Sequence, residues 1–296
     1  MNKEINPNVS FLAVGKGAAV RHLILFLVAL GSFVVLQSLW PLAFVSGTDA
    51  TTIIHGLFSR FPAWKALMVL LVPFFIILLF LEMVSQWGII GTPMQLIRRF
   101  EGIRWRVFFQ FSAVCLGIQV ILTAFDLVVF PDEYQWTTWP GGWLAFAIVG
   151  FFGYAGQSLM EELLFRTLPM RFSYGLLPKD WFAILASALL FGLMHMGNKE
   201  VEALGVWQMF FIYSLNGAFM AWLTLRSNGL ELAWAFHWVN NWMGSAIVTF
   251  PASSIPGPAL WIRATPGVTE MLILSLVQVA IFGTVAWFLF FKKKVL

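Results

Sequence analysis

Residues 143–165 read WLAFAIVGFFGYAGQSLMEELLF, a run with no charge until Glu161 and Glu162 arrive together near its end. Crossing the hydrocarbon of a bilayer takes about 20 residues of helix, so the run is long enough to span. An ionisable side chain at that depth costs at least ~2.5 kcal/mol, which makes it a functional hypothesis by default. Seven more apolar runs lie at 23–45, 66–83, 107–130, 181–196, 207–225, 230–250 and 271–291. Together they predict an all-α, polytopic integral membrane protein of about eight transmembrane helices, one membrane domain over 1–296. The shortest run, 181–196, reaches spanning length only by starting nearer Pro178 or continuing past His195.

Composition agrees. Hydrophobic residues make up 60% of the chain and charged ones 11%, against roughly 25% charged in an ordinary soluble domain. A net charge of +4 over 296 residues is too sparse for a nucleic-acid-binding surface. The single cysteine, Cys115, permits neither an intrachain disulfide nor a cysteine-rich metal site. The first long apolar run begins only at Leu23, with no small-residue cleavage site closing a short apolar core, so it reads as a retained helix rather than a signal peptide.

Basic residues in short loops stay cytoplasmic. With the N-terminus inside, only Arg60, Lys65, Lys199 and Arg263 fall outside, leaving 14 of the 18 Lys and Arg on the inner side. An even helix count then puts both termini in the cytoplasm. Compact loops and total length favour a prokaryotic plasma membrane, with the endoplasmic reticulum the counterpart in a eukaryote. Residues 86–106 read as a basic interfacial cytoplasmic segment. Thr92-Pro93-Met94-Gln95 forms an N-cap signature before a short helix, and Arg98, Arg99 and Arg104 accompany Ile97, Phe100 and Ile103, a pattern suited to an anionic leaflet. A basic loop that serves topology alone fits the same residues.

Of the polar residues inside apolar runs, Glu82 and Asp126 sit near helix ends, where solvation or capping explains them. Asn216, beside Gly217 and Ala221, reads as an interhelical hydrogen-bond partner. Three groups remain: Glu161-Glu162-Leu163-Leu164-Phe165-Arg166, Phe191-Gly192-Leu193-Met194-His195 and His237-Trp238-Val239-Asn240-Asn241. Glu162 and Arg166 lie four apart on one helical face and should pair, whereas Glu161 and Arg166 are about 140° apart. Glu161 is thus a carboxylate without a cation on its own helix, which suits a general base. Phe191 and His195 share a face, as do His237 and Asn241, with Asn240 an alternative to Asn241. A turn centred on Pro178 brings Glu161 and His195 level. Pro169 should end or kink the fourth helix early.

These motifs resemble the signature of the CPBP family of glutamate-type intramembrane proteases, which takes in the CAAX prenyl endopeptidase and the Abi proteins linked to bacteriocin processing and self-immunity. The pattern is Glu-Glu-x-x-x-Arg, Phe-x-x-x-His and His-x-x-x-Asn in that order on successive helices, and it lies within 143–250, helices four to seven. The resemblance implies an endopeptidase acting near the membrane interface, on a peptide or protein substrate that includes prenylated CAAX-type C-termini. It makes Glu161 the base that activates a water, with His195 helping to hold that water. His237 and Asn241 become the oxyanion hole, Glu162 and Arg166 a supporting ion pair, and Phe191 the residue that fixes the His195 ring. Neither a metal nor another cofactor is implied.

Three rivals use the same residues. Two carboxylates and two histidines could bind a catalytic zinc, although His-Glu-x-x-His is absent. Buried Glu and His also serve ion or solute transporters, but no repeated halves are visible. A family member without turnover would act as a membrane scaffold or immunity protein.

Overall fold

A computed structural model describes residues 11–47, 49–88, 93–97, 102–138, 141–254 and 257–292. Each of the eight apolar runs contains a helix: α1 (Lys16–Leu39), α3 (Ala63–Gln86), α5 (Trp105–Val129), α6 (Trp143–Glu162), α8 (Asp180–Met194), α10 (Val206–Ser227), α11 (Glu231–Ala246) and α12 (Val268–Ala286). Shorter helices α2 (Ala50–Arg60), α4 (Pro93–Ile97), α7 (Leu168–Leu176) and α9 (Lys199–Leu204) complete the described set. Among the described residues, five segments are long and apolar enough to cross a membrane: Lys16–Ala43, Ala63–Gln86, Trp105–Val129, Trp143–Leu176 and Val268–Phe291. The expected eight thus reduce to five by that measure. At 15 and 16 residues α8 and α11 are short, and α10 carries Gln208, Asn216 and Arg226 along its 22.

Burial is distributed as lipid solvation demands. Ile121, Phe125 and Val128 of α5 and Leu79 of α3 are exposed, while Glu162 and Arg166 are fully buried. A water-soluble fold would invert that arrangement. Inside, α6 lies between α3 and α11, α10 runs along α8, and α11 also meets α5. The approach of α10 to α8 is close: a Cβ on Gly217 would sit 3.1 Å from Ala188 Cα, so only glycine fits without displacement. Asn216 does not bridge helices as expected; its amide donates to Ile212 O one turn back.

Pro169 does not end the fourth helix. A π-turn over Leu163–Thr167 joins α6 to α7, with Leu168 N–H donating to Leu163 O, and the helical path continues to Leu176. Proline has no N–H for the carbonyl four residues back. Ser187 of α8 supplies the replacement, its hydroxyl donating to Phe165 O at 2.6 Å.

The end of the bundle beside α4 is closed. Leu96 and Ile97 are buried, and α4's free carbonyls are capped from three sides: Gln95 O accepts from Arg171, Leu96 O from Thr167 Oγ1 and Ile97 O from Leu230 N–H. Arg104 is held by fully buried Glu231 at 2.6 Å. Of the expected interfacial segment, Thr92, Arg98, Arg99 and Phe100 lie outside the described residues. Of the described part, α4 packs against the bundle through Leu96 and Ile97.

At the opposite end the chain is not purely helical. Strands β1 (Tyr134–Trp136), β2 (Val248–Thr249) and β3 (Trp261–Arg263) form a sheet in the order β1-β3-β2, antiparallel then parallel. Periodicity could not reveal strands of two and three residues. Arg263 gathers Asp126, Glu133 and Glu270 around it, so Asp126 ties α5 to this cap, while Glu82 accepts from Gln86. Burial, helped by the hydrogen bond to Asp126, pushes the Tyr134 hydroxyl above its ordinary range.

Removing the Ser187 donor should leave Phe165 O unpaired at a cost of ~1–3 kcal/mol. Ser187→Ala is expected to lower the thermal unfolding temperature in detergent, and Pro169→Ala in the same chain to recover part of the loss by restoring a backbone donor. Equal melting of wild type and Ser187→Ala would contradict this account of the π-turn.

Candidate active site

Three tryptophans at helical spacing set α11 against α6. The indole N–H groups of Trp234, Trp238 and Trp242 donate to Ala155 O, Phe151 O and Ala147 O at 2.8, 2.6 and 2.9 Å. In return Trp143 of α6 donates to Ala246 O at 2.8 Å. Each step is four residues on both helices, running in opposite directions, so the ladder fixes an antiparallel register. Indoles suit the task because each places one donor at the end of a large apolar body. Residues 237 and 241 are thereby carried on the same four-residue spacing as the ladder.

That register delivers His237 to the two glutamates. Its Nδ1–H donates to Glu162 Oε1 at 2.7 Å, and its Nε2 lies 3.6 Å from Glu161 Oε2. Arg166 Nη1 stands 3.2 Å from the same Glu162 Oε1, the pairing that the spacing predicts. The guanidinium lies on the face of Phe191, 4.4 Å from the ring centroid, a cation–π contact of the kind that gains strength away from water. Phe191 therefore steadies two groups: its ring is also 4.2 Å from that of His195.

Glu161 is 7% exposed. Its Oε1 accepts from the Gln157 amide one turn earlier, and Gln157 Oε1 accepts from Asn241 Nδ2 at 3.0 Å. Gln157 is a site residue that the sequence reading missed; its position four residues before Glu161 was the available signal. Glu161 Oε2 accepts no hydrogen bond from the described residues. Asn241, rather than Asn240, faces this group: Asn240 Oδ1 accepts from Gln119 and Gln278 on α5 and α12. Ser158, one turn before Glu162, donates to Tyr154 O, away from any nucleophilic role.

His195 caps the end of α8. Its Nδ1–H donates to Phe191 O at 2.7 Å, and its ring stacks on Tyr213 of α10, centroids 4.6 Å apart. With Nδ1 committed in both histidines, Nε2 is the nitrogen left for chemistry in each. Glu161, His195, His237, Asn241 and Gln157 all line one cavity of about 1210 Å³, larger than the roughly 300–1,000 Å³ of small-molecule pockets. Phe125, Leu274 and Val277 also line it and are exposed on the flank of the bundle. Among the described residues, no group of three or more His, Cys, Asp or Glu side chains is arranged to hold a metal ion.

Residues 141–243 match the model of a protein family described as type II CAAX prenyl endopeptidase Rce1-like. No curated protein and no solved structure matches the chain.

If the indole ladder sets the register, Trp238→Phe should keep most of the ring contact with Phe108 and Phe151 yet lose the donor to Phe151 O. A stability loss of ~0.5–1.5 kcal/mol is expected, read as a lower unfolding temperature in detergent. Wild-type melting of Trp238→Phe would show that the indole bond carries no weight.

Proposed function

From residues 141–243, a domain of the Rce1-like type II CAAX prenyl endopeptidase family, we propose that this chain is an intramembrane endopeptidase that hydrolyses a peptide bond with a water activated by Glu161. The observation that carries the reading is the Glu161 carboxylate at the wall of a large cavity: one oxygen is held by Gln157, and the other accepts no hydrogen bond from the described residues and lies 3.6 Å from His237 Nε2.

Each protein group then has one task. Glu161 Oε2 takes the proton of a water placed in the cavity, a general-base contribution of ~10²–10⁴ in rate. His195 presents an Nε2 lone pair that accepts a second hydrogen bond from that water and fixes its direction of attack. The carbonyl oxygen gains negative charge as the carbon becomes tetrahedral, and it requires donors already in place. Asn241 has one amide N–H beyond the one given to Gln157. His237, with its Nδ1–H given to Glu162, donates to the oxyanion from Nε2 when that nitrogen carries a proton. Collapse of the tetrahedral species expels the amine, which takes its proton from Glu161. The nucleophile is water throughout.

Glu161→Ala and His195→Ala are expected to abolish cleavage while leaving expression and membrane insertion largely intact. Glu162→Ala or Arg166→Ala should damage folding as well, by ~3–5 kcal/mol, because each strands a fully buried charge. Farnesylated and unmodified peptides should be assayed together with the Glu161→Ala control. Equal turnover by wild type and Glu161→Ala would overturn the proposal. So would stoichiometric zinc in the purified protein whose removal abolishes activity.

A further inference from the structure

The cavity lies toward one end of the bundle and does not reach the other. Helices α1, α5, α8 and α11 finish at one end, where α3, α6, α10 and α12 begin. Among the described residues, the lining of α1, α3, α5, α8 and α12 lies toward that end, and in α6, α10 and α11 it reaches past the helix midpoint to Glu161, Met220 and Phe236. Nothing contributes from before Gln37, from 75–118, from 162–190, from 221–235 or from beyond Gln278. Glu161, Met220 and Phe236 form its floor. Its rim includes Asp49 and Glu202, both exposed, and Thr51 and Ser253.

The described residues of the other end are packed together. There Leu96, Ile97, Phe11 and Leu12 are buried, Arg171 donates to Phe11 O, and Arg104 is locked to Glu231. Among the described residues, this end also carries most of the positive charge. Of those residues, Lys16, Arg21, Arg104, Arg106, Arg171, Lys179, Arg226 and Lys292 belong to it, against Arg60, Lys65, Lys199 and Arg263 at the mouth end, and Arg263 is surrounded by three carboxylates. Lys and Arg in short loops remain on the cytoplasmic side, so the charge count turns the closed end inward and the mouth outward.

We infer that the site is reached from the extracytoplasmic side, and that its substrate is a peptide segment presented at the outer leaflet by an exported or membrane-anchored protein. A prenylated CAAX tail is attached to a protein that stays in the cytoplasm, on the sealed side of Glu161. The substrate half of this inference rests on the hydrolytic reading above; the direction of access does not.

Cysteine accessibility in intact cells tests it without needing a substrate. Cys115 is buried and is the chain's one cysteine, so Cys115→Ala gives a silent background. Thr51→Cys and Ser253→Cys report the mouth, and Lys179→Cys, exposed in the α7–α8 turn, reports the closed end. A membrane-impermeant maleimide added outside should label both mouth cysteines, and should label Lys179→Cys only after the membrane is opened. Protection of the mouth cysteines in intact cells, or labelling of Lys179→Cys before permeabilisation, overturns the inference. Cleavage that depends on Glu161 would survive either result, so hydrolysis and direction of access fail separately.

Discussion

Glu162 Oε1 is the atom on which the arrangement turns. It accepts from His237 of α11 and faces Arg166 across the π-turn of its own helix, with every group largely or wholly out of contact with the surroundings. A lone carboxylate in that position would be too costly to keep ionised. Two cationic or donor groups from separate stretches of chain make it tolerable, and in doing so they draw α11 and the α6–α7 junction together. His237 could not take its place beside Glu161 unless its other nitrogen were already committed to Glu162.

The remaining structure can be understood as support for that junction. The indole ladder of Trp234, Trp238 and Trp242 sets how far along α6 the helix α11 sits. The π-turn gives Arg166 and Pro169 room on one continuous helical path, at the cost of a carbonyl that Ser187 satisfies from α8. Phe191 lies between the Arg166 cation and the His195 ring, so α8 is tied to the same centre from its other end. The two adjacent glutamates thus divide the work. Glu162 faces the scaffold, while Glu161 lines the cavity and keeps one oxygen without a hydrogen bond among the described residues.

Much of this was legible in the sequence because membranes punish polarity. A buried Glu or His stands out against hydrocarbon, and spacing alone assigned Arg166 to Glu162 and gathered Phe191 with His195. All eight apolar runs prove to contain helices, although among the described residues five segments have the length and apolarity to span. What stayed hidden was geometry that composition does not encode. Tryptophans at 234, 238 and 242 read as ordinary apolar residues until their donors are seen to meet carbonyls of another helix. Gln157 lacks charge and so drew no notice, yet it joins Glu161 to Asn241. Pro169 suggested a break because the rule for proline concerns an α-helix, and a π-turn with an outside donor escapes it. The short sheet under Arg263 and the docking of α4 depend on partners distant in sequence, which no local pattern announces.

The most direct measurement of the central claim is nitrogen-15 NMR of histidine-labelled protein in lipid, where only four histidines contribute. The account requires a proton on His237 Nδ1, with that resonance moved strongly by Glu162→Gln while Glu161→Gln perturbs Nε2. A His237 whose Nδ1 is unprotonated, or whose resonances ignore both substitutions, would contradict it.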